Sequence, residues 1–568
     1  MQEESSQAAG ATLSLSMAEI GRRTGPLDIS GLSGSQAAFF LAELFTRSGR
    51  CLLVVAPDEA AAGNMVSDLE FFLPSGNDQS PVVSFPAYHI LPYSGIAFNS
   101  QTIATRISAL YRLLNNAAPL VLVTTPKAAC ARLMAASALC DSTLGLFPGK
   151  ALSRDGFAQS LVEGGFVAAS VVEEPGEFGV RGGIVDLFSP GHEYPLRVEF
   201  FGDEIDSIRL FSPADQRTVK RLDEAVVLPA SEAVVRFDSL AEVAHRFRAR
   251  ALEQGLAVTK VREIVQAVKE EGRLGGMDSF LPLVYGRTDS LVDYLPGGCI
   301  PVIVEPGRVA AQAASHKRNL LDHLQTMEAK ERLFLPAEKT LDDWDRVLES
   351  LSCLNPLFLR ELAVSSGQGQ PQTLEAGCCF SVKDNSALSA GIAAGRDPDR
   401  LLEPLVQWIE THRAEGRVVA AACANRTRAE RLRHLLLPYG LSLKEKWQPS
   451  DPGRKPGLYL AQGRLSAGFV WESEGLAIFT DDEVFGPSRR HPKTPPARPR
   501  TDLLDLTGLK QGDFVVHLEH GVACFEGLAK MEVNGVAGDF LVLAFQDRDR
   551  LYVPVDRTHQ VQKYRGVS

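Results

Sequence analysis

Apolar positions follow three different rhythms along the chain. Between about 25 and 140, short continuous runs alternate with stretches of helical spacing. Leu52–Val55, Val82–Phe85 and 120–123 read as buried strands, and 60–72 and 103–114 as helices. Strand–helix alternation predicts a parallel sheet covered by helices. From 177 to 211 the rhythm becomes twofold. Ile184, Val185, Leu187 and Phe188 make one run; Leu196, Val198, Phe200 and Phe201 a second; Ile205, Ile208, Leu210 and Phe211 a third. Gly202-Asp203 between the last two is a hairpin signal. Helical spacing returns over 240–252, 261–269 and 308–335, with Ile300–Val304 as a strand rejoining a sheet.

A second α/β alternation follows. The predicted elements are a helix over 400–413, a strand Val418–Cys423, a helix over 426–437, and strands at 457–461 and Leu476–Thr480. Asp481-Asp482-Glu483 ends the last strand and is expected to be a solvated strand end. The final rhythm, over 514–518, 522–531, 540–545 and 551–555 with Asn534-Gly535 as a hairpin turn, predicts a small barrel or strongly bent sheet. Pro487–Arg500 carries five Pro and five Lys/Arg in fourteen residues. That composition gives a stiff, solvated linker, and transient contact with nucleic acid is its alternative use.

Ahead of the first clear strand, Ser30 to Ala38 has the outline of a phosphate-binding loop entering a helix. Aligned on Gly31 and Gly34, with Ser35 inside the loop, Ala37 stands where the phosphate-holding Lys belongs and Ala38 where the Mg²⁺-binding hydroxyl belongs. Without that charge the loop cannot support phosphoryl transfer. It is expected to be a non-functional relic, and an ordinary Gly/Ser turn capping a helix fits equally.

Composition narrows the classes further. The 568 residues are 45% hydrophobic and 23% charged with a net charge of −11, enough for several soluble domains. The acidic balance argues against a chain that chiefly wraps nucleic acid. From Asp505 onward nine acids face seven bases, so a protein partner is favoured over DNA there. The nine cysteines contain no C-x-x-C, and His517 with His520 lacks further ligands, so no metal is expected. Dispersed cysteines read as reduced thiols in a cytoplasm. No signal peptide and no membrane span is seen.

The segments EFGVRGGIVDLF and PLRVEFFGDEIDSIRLFSPADQRT resemble the bacterial transcription-repair coupling factor family and, more distantly, the excision-repair protein UvrB. GDFVVHLEHGVACFEGL, GDFLVLAF and LYVPV resemble the RNA-polymerase-interacting domain that this family shares with CarD-type regulators. The resemblance implies a multidomain α/β architecture. Its parts are an N-terminal extension (1–24), a UvrB-like α/β domain in two pieces (25–142 and 230–345) around an inserted UvrA-binding β-rich domain (143–229), a linker (346–380), a small α/β domain (381–486), a Pro/basic linker (487–502) and a Tudor-like barrel (503–568).

It further implies an adaptor, expected to be monomeric, that holds the β subunit of stalled RNA polymerase and recruits UvrA. The ATP- and Mg²⁺-dependent motor, which would contact double-stranded DNA, is expected to lie outside this chain, where no Gly-Lys-Ser/Thr occurs. No cofactor and no catalytic residue are therefore expected here. Residue by residue, the resemblance assigns UvrA contact to Arg181, Arg197 and Phe201, and polymerase contact to Met531 flanked by Lys530 and Glu532. The residues alone leave alternatives open. The arginines could be solvated and Phe201 core, and Met531 could sit in the barrel core. Two other functions also stay open: a nucleotide-binding UvrB-like helicase or damage-recognition protein, and a CarD-like transcription regulator.

Overall fold

The computed structural model describes residues 17, 20, 25–73, 80–115, 118–271, 276–361, 378–394, 402–445, 455–486, 512, 514–517, 521–533, 536–544, 550–554 and 561–563. The N-terminal extension, the 487–502 linker, Asn534-Gly535 and His520 lie outside the described residues, apart from residues 17 and 20 of the extension. The chain divides into two compact units, Met1–Ser488 and Arg489–Ser568.

In the first unit, β1 (Leu27–Ser30), β2 (Leu52–Val55), β3 (Val82–Phe85) and β4 (Val121–Thr124) alternate with helices Gly34–Ser48, Glu59–Phe72 and Ser100–Asn115. The chain then leaves this sheet. It forms β5 (Leu144–Leu146), β6 (Val167–Ala168), β7 (Glu177–Arg181), β8 (Ile184–Leu187), β9 (Leu196–Phe201), β10 (Glu204–Phe211), β11 (Thr218–Leu222) and β12 (Ala225–Val227). It returns with β13 (Ile300–Val304), β14 (Leu357–Arg360) and β15 (Cys378–Cys379). The resulting seven-stranded sheet runs β15-β1-β14-β13-β2-β4-β3 and all its pairings are parallel.

Both faces of that sheet are covered, which is why its strands read as unbroken apolar runs. Leu52 and Val54 enter one core, and Leu53 and Val55 the other. The stretch expected as a linker at 346–380 instead supplies strands to the sheet: β14 pairs with β1 and β13, and β15 with β1.

The insertion is a six-stranded sheet in the order β11-β10-β9-β8-β7-β6, with β5 and β12 pairing beside it. Helix Arg154–Glu163 is capped by Ser153, whose side chain accepts from the Gly156 N–H. It packs Phe157 and Leu161 beneath the sheet, against Val185, Val198, Ile205 and Ile208.

The second α/β sheet contains β16 (Lys383–Asp384), β17 (Val418–Cys423), β18 (Lys444–Glu445), β19 (Gly457–Gln462), β20 (Phe469–Trp471) and β21 (Leu476–Thr480). Its order is β16-β20-β21-β17-β19-β18. Val418, Ala420 and Ala422 of β17 join the same core as helices Gly34–Ser48 and Glu59–Phe72. Those two helices therefore share one apolar core with both sheets.

The second unit is an antiparallel sheet of β22 (Phe514–His517), β23 (Gly521–Val533), β24 (Val536–Ala544), β25 (Arg550–Pro554) and β26 (Val561–Lys563), ordered β25-β24-β23-β22-β26. Among the described residues no pairing joins β25 to β26.

Candidate functional site

The register of the inserted sheet places the three expected contact residues on one face. Arg181 stands opposite Ile184 across the β7–β8 hairpin, and Ile184 stands opposite Glu199 of β9. Paired residues in antiparallel strands share a face, and so do residues two apart in one strand. Arg197, Glu199 and Phe201 therefore lie with Arg181 on the side opposite the core, which takes Leu196 and Val198. Two-residue turns close both hairpins. Gly182-Gly183 follows Arg181, and Gly202-Asp203 follows Phe201, with φ of 58° at Gly182 and 62° at Gly202. Those left-handed angles explain glycine at both positions.

Phe201 is 84% exposed, the largest value for a large hydrophobic side chain among the described residues. It is not core. Its pairing partner across the turn, Glu204, is also exposed. Arg181 is exposed, and its guanidinium donates to the Ser170 carbonyl. The backbone beneath is held from below, because Arg154 Nη1 donates to the Gly182 carbonyl at 2.7 Å.

Arg197 is tied into the sheet. It does point away from the apolar core, but its guanidinium is not free. Nε donates to Asp186 Oδ1 at 2.7 Å and Nη2 to Asp186 Oδ2 at 2.9 Å. The same group reaches Gln216 Oε1 at 3.2 Å and lies 4.5 Å from the centre of the Phe211 ring. The two-pronged bond to Asp186 raises the Arg197 pKa above its usual value. Asp186 and Arg197 face each other across β8 and β9, so this pair joins two strands of the platform. A bidentate guanidinium–carboxylate bond fixes geometry as well as energy.

Glu199 and Arg209 complete the face and were not singled out from the sequence. They form an ion pair, and Ser207 Oγ donates to Glu199 Oε2 at 2.7 Å. Those bonds, the Ser207 hydroxyl foremost, hold the Glu199 carboxyl below its usual range. Alternation with Leu196, Val198 and Phe200 was the available signal for Glu199 as it was for Arg197. The exposed end of the face thus presents Phe201 and Arg181, over a platform locked by Arg197–Asp186 and Arg209–Glu199.

The phosphate-loop outline lies between β1 and helix Gly34–Ser48, where such a loop belongs. Gly31 has φ of 84°, and a Cβ there would stand 2.0 Å from the Phe380 carbonyl oxygen. Phe380 donates its N–H to the Ser30 carbonyl at 2.9 Å. Ser35 Oγ donates to the Ala467 carbonyl at 2.6 Å. Ala37 and Ala38 are buried at 1% and 0% exposure. A capping box formed by Ser33 and Gln36 satisfies the first turn of the helix from within. The space over the loop is thus filled by residues of the second α/β sheet and its flanks. Asp68 of helix Glu59–Phe72 reinforces that seam. Its Oδ1 accepts from the Ser466 N–H at 2.6 Å and its Oδ2 from the Ser466 hydroxyl at 2.5 Å. Burial pushes its pKa up to about 6 against those bonds.

The acidic run at 481–483 is not a solvated strand end. It opens helix Asp481–Phe485, and Asp481 is buried. Arg428 Nη1 donates to Asp481 at 3.0 Å and to Asp482 at 2.6 Å. Glu483 completes a capping box with Thr480 and also accepts from the Gly468 N–H at 2.8 Å. All three carboxylates hold the fold.

In the second unit the register sets Lys530 opposite Asp539, Met531 opposite Gly538 and Glu532 opposite Ala537. The side chains of these three, and of His517, lie outside the described residues. β22 pairs with residues 521–524 of β23. Residues 527–533 pair with β24 on one side, and no described strand pairs with them on the other.

Residues 144–232 match the UvrB interaction domain family, and residues 509–565 match the CarD-like/TRCF RID domain family. About 94% of the chain is similar to part of the transcription-repair-coupling factors. It is 32% identical to that of Myxococcus xanthus over 557 residues, covering 94% of this chain and 45% of the relative. It is 28% identical to that of Bacillus subtilis (95% and 45%) and 27% identical to that of Escherichia coli K12 (94% and 45%). The chain spans about 45% of the length of the curated relatives it matches.

Proposed function

We propose that this chain is the adaptor portion of a transcription-coupled DNA repair factor, joining UvrA to RNA polymerase. The inserted sheet is the UvrA face and the second unit the polymerase face. The ATP-driven step belongs to the part of such proteins that this chain does not cover. The observation that carries the reading is Phe201. It is a phenylalanine 84% exposed on the same face as Arg181, at the tip of a sheet otherwise pinned by ion pairs, and aromatic residues and arginine are both enriched at protein interfaces. Arg181 is the candidate partner for a carboxylate on UvrA. Arg197 acts through the platform, by holding β8 and β9 in register beneath Phe201.

The polymerase contact is assigned to the open side of β23 over residues 527–533, on which a strand of the β subunit would add through main-chain hydrogen bonds, with Met531 as the adaptable apolar contact. Affinity capture separates the two faces. Arg181→Ala with Phe201→Ala is expected to abolish UvrA capture and spare polymerase; Met531→Arg is expected to do the reverse. Loss of both partners in either variant, or of neither, would refute the assignment.

A further inference from the structure

The inserted sheet is joined to the body of the first unit by two strands. β5 leads in and β12 leads out, and they pair with each other from Leu146–Ala225 to Leu144–Val227. The apolar core of the insertion is separate from the two cores that flank the seven-stranded sheet. A module joined in this way moves relative to its neighbour unless something fixes it.

The strap that leaves β12 is gripped from both sides. On the insertion side, Ala230 donates its N–H to the Gly164 carbonyl at 2.7 Å. Gly165, with φ of 93°, lies so close to the strap that a Cβ there would stand 2.5 Å from the Ser231 Cβ. These two glycines directly follow helix Arg154–Glu163, whose Phe157 and Leu161 lie in the core beneath the docking sheet. On the body side, Asp278 accepts from the Ser231 hydroxyl at 2.8 Å and from the Ala233 N–H at 3.1 Å. The Tyr285 hydroxyl donates to the Glu232 carbonyl at 2.8 Å and accepts from the Val234 N–H at 2.9 Å. At the centre, the Glu232 carboxylate accepts from Arg106 Nε at 2.5 Å and from the Tyr88 hydroxyl at 2.7 Å.

Arg106 and Glu232 are each 1% exposed. The guanidinium lies 4.3 Å from the Phe85 ring centre and 4.5 Å from that of Tyr88, and its Nη1 donates to the Pro86 carbonyl at 2.9 Å. Its Nη2 is buried and has no hydrogen-bond partner among the described residues. Desolvation offsets most of the attraction within a buried ion pair, and an orphaned donor adds to the cost. Such a pair is a poor source of stability. It is a good source of direction, because the rigid guanidinium fork bonds only along its N–H vectors.

We infer that Arg106 and Glu232 are positioning residues that fix the direction of the inserted sheet on the body, and with it the direction in which Phe201 and Arg181 are presented. That this direction serves UvrA rests on the proposed function. The orientation itself does not, and its test uses no partner.

The test is an electron–electron spin-resonance distance measurement between labels at Lys220 of β11 and Glu349 of helix Trp344–Ser352, both exposed. The labels are attached through ketone-bearing side chains, because Cys140, Cys353 and Cys379 are exposed. The wild-type chain is compared with a triple variant, Arg106→Met, Glu232→Leu and Tyr88→Phe, which removes both charges and the hydroxyl that bonds to Glu232. The triple variant is expected to stay folded, with a thermal midpoint lowered by no more than about 5 °C. Its distance distribution is expected to widen at least about twofold. A folded variant that widens by less overturns the proposal. So does loss of the fold or a larger drop in midpoint, since the pair would then serve stability rather than orientation.

Discussion

Two loop-and-sheet regions of this chain carry glycines, small residues and a nearby aromatic, and they end in opposite states. At Gly31–Ala38 every position a ligand would need is taken by the protein itself: Phe380 over Gly31, Ala467 on Ser35, and Ala37 and Ala38 buried. At Arg181–Phe201 the glycine turns lift an arginine and a phenylalanine into solvent over strands cross-linked by Arg197–Asp186. The first region is an apolar seam. The second has kept an apolar group exposed and supported it with charges. The difference teaches that the missing lysine at position 37 is only half of the nucleotide story, because the cleft is also filled.

The comparison can be broken most forcefully at the seam. Trp471 is fully buried against Phe39, Phe380 and Phe469. Trp471→Ala should lower unfolding free energy by about 4 kcal/mol in denaturant titrations. Ala37→Lys, which restores the residue type a phosphate loop requires, should cost about 3 kcal/mol by forcing an ammonium into the seam, and calorimetry with ATP and Mg²⁺ should register no binding. Micromolar binding by that variant would mean the seam opens.

On the docking side, Arg197→Ala leaves the nearly buried Asp186 carboxylate without its partner. A loss of about 2–3 kcal/mol is expected, below the full cost for buried pairs because Arg197 keeps some solvent contact. The fall in UvrA affinity should then track the loss of fold. Equal UvrA loss at unchanged stability would make Arg197 a direct contact instead.

A smaller effect sharpens the seam through pH. Asp68 has a folded pKa near 6 against an ordinary 3.8. A raised carboxyl pKa favours the fold while protonated, so stability from this group is present below about pH 4 and declines as pH rises through 6. The decline should amount to about 2 kcal/mol and be absent in Asp68→Asn, which keeps an acceptor and a donor for Ser466. Denaturation midpoints of both proteins at about pH 4.5 and 7.5 give the answer.

How much was legible in the sequence depended on whether a residue's fate was local. Leu52–Val55, Val82–Phe85, Ile300–Val304 and Val418–Cys423 stood out because strands buried on both faces are unbroken apolar runs. β1 and β14 did not. Leu-Asp-Ile-Ser and Leu-Phe-Leu-Arg carry polar residues that pair with each other, Arg360 Nε donating to Asp28 Oδ1 at 2.7 Å across 332 positions. The Phe201 hairpin was readable from Gly202-Asp203, and its outward face from Arg197 and Glu199, four and two residues earlier. The Asp186 partner of Arg197 needed the register of two hairpins, and the filling of the phosphate loop needed contacts more than 300 residues apart. Alternation shows which side a residue takes, and it does not show what meets it there.

The most direct measurement is the affinity of UvrA for the wild-type chain and for Phe201→Ala, with thermal stability recorded on the same samples. An exposed side chain contributes little to folding, so stability should change by no more than about 0.5 kcal/mol, while affinity should fall at least about tenfold, as for an interface anchor. Unchanged affinity, or a fall in affinity that comes only with a fall in stability, would contradict the account.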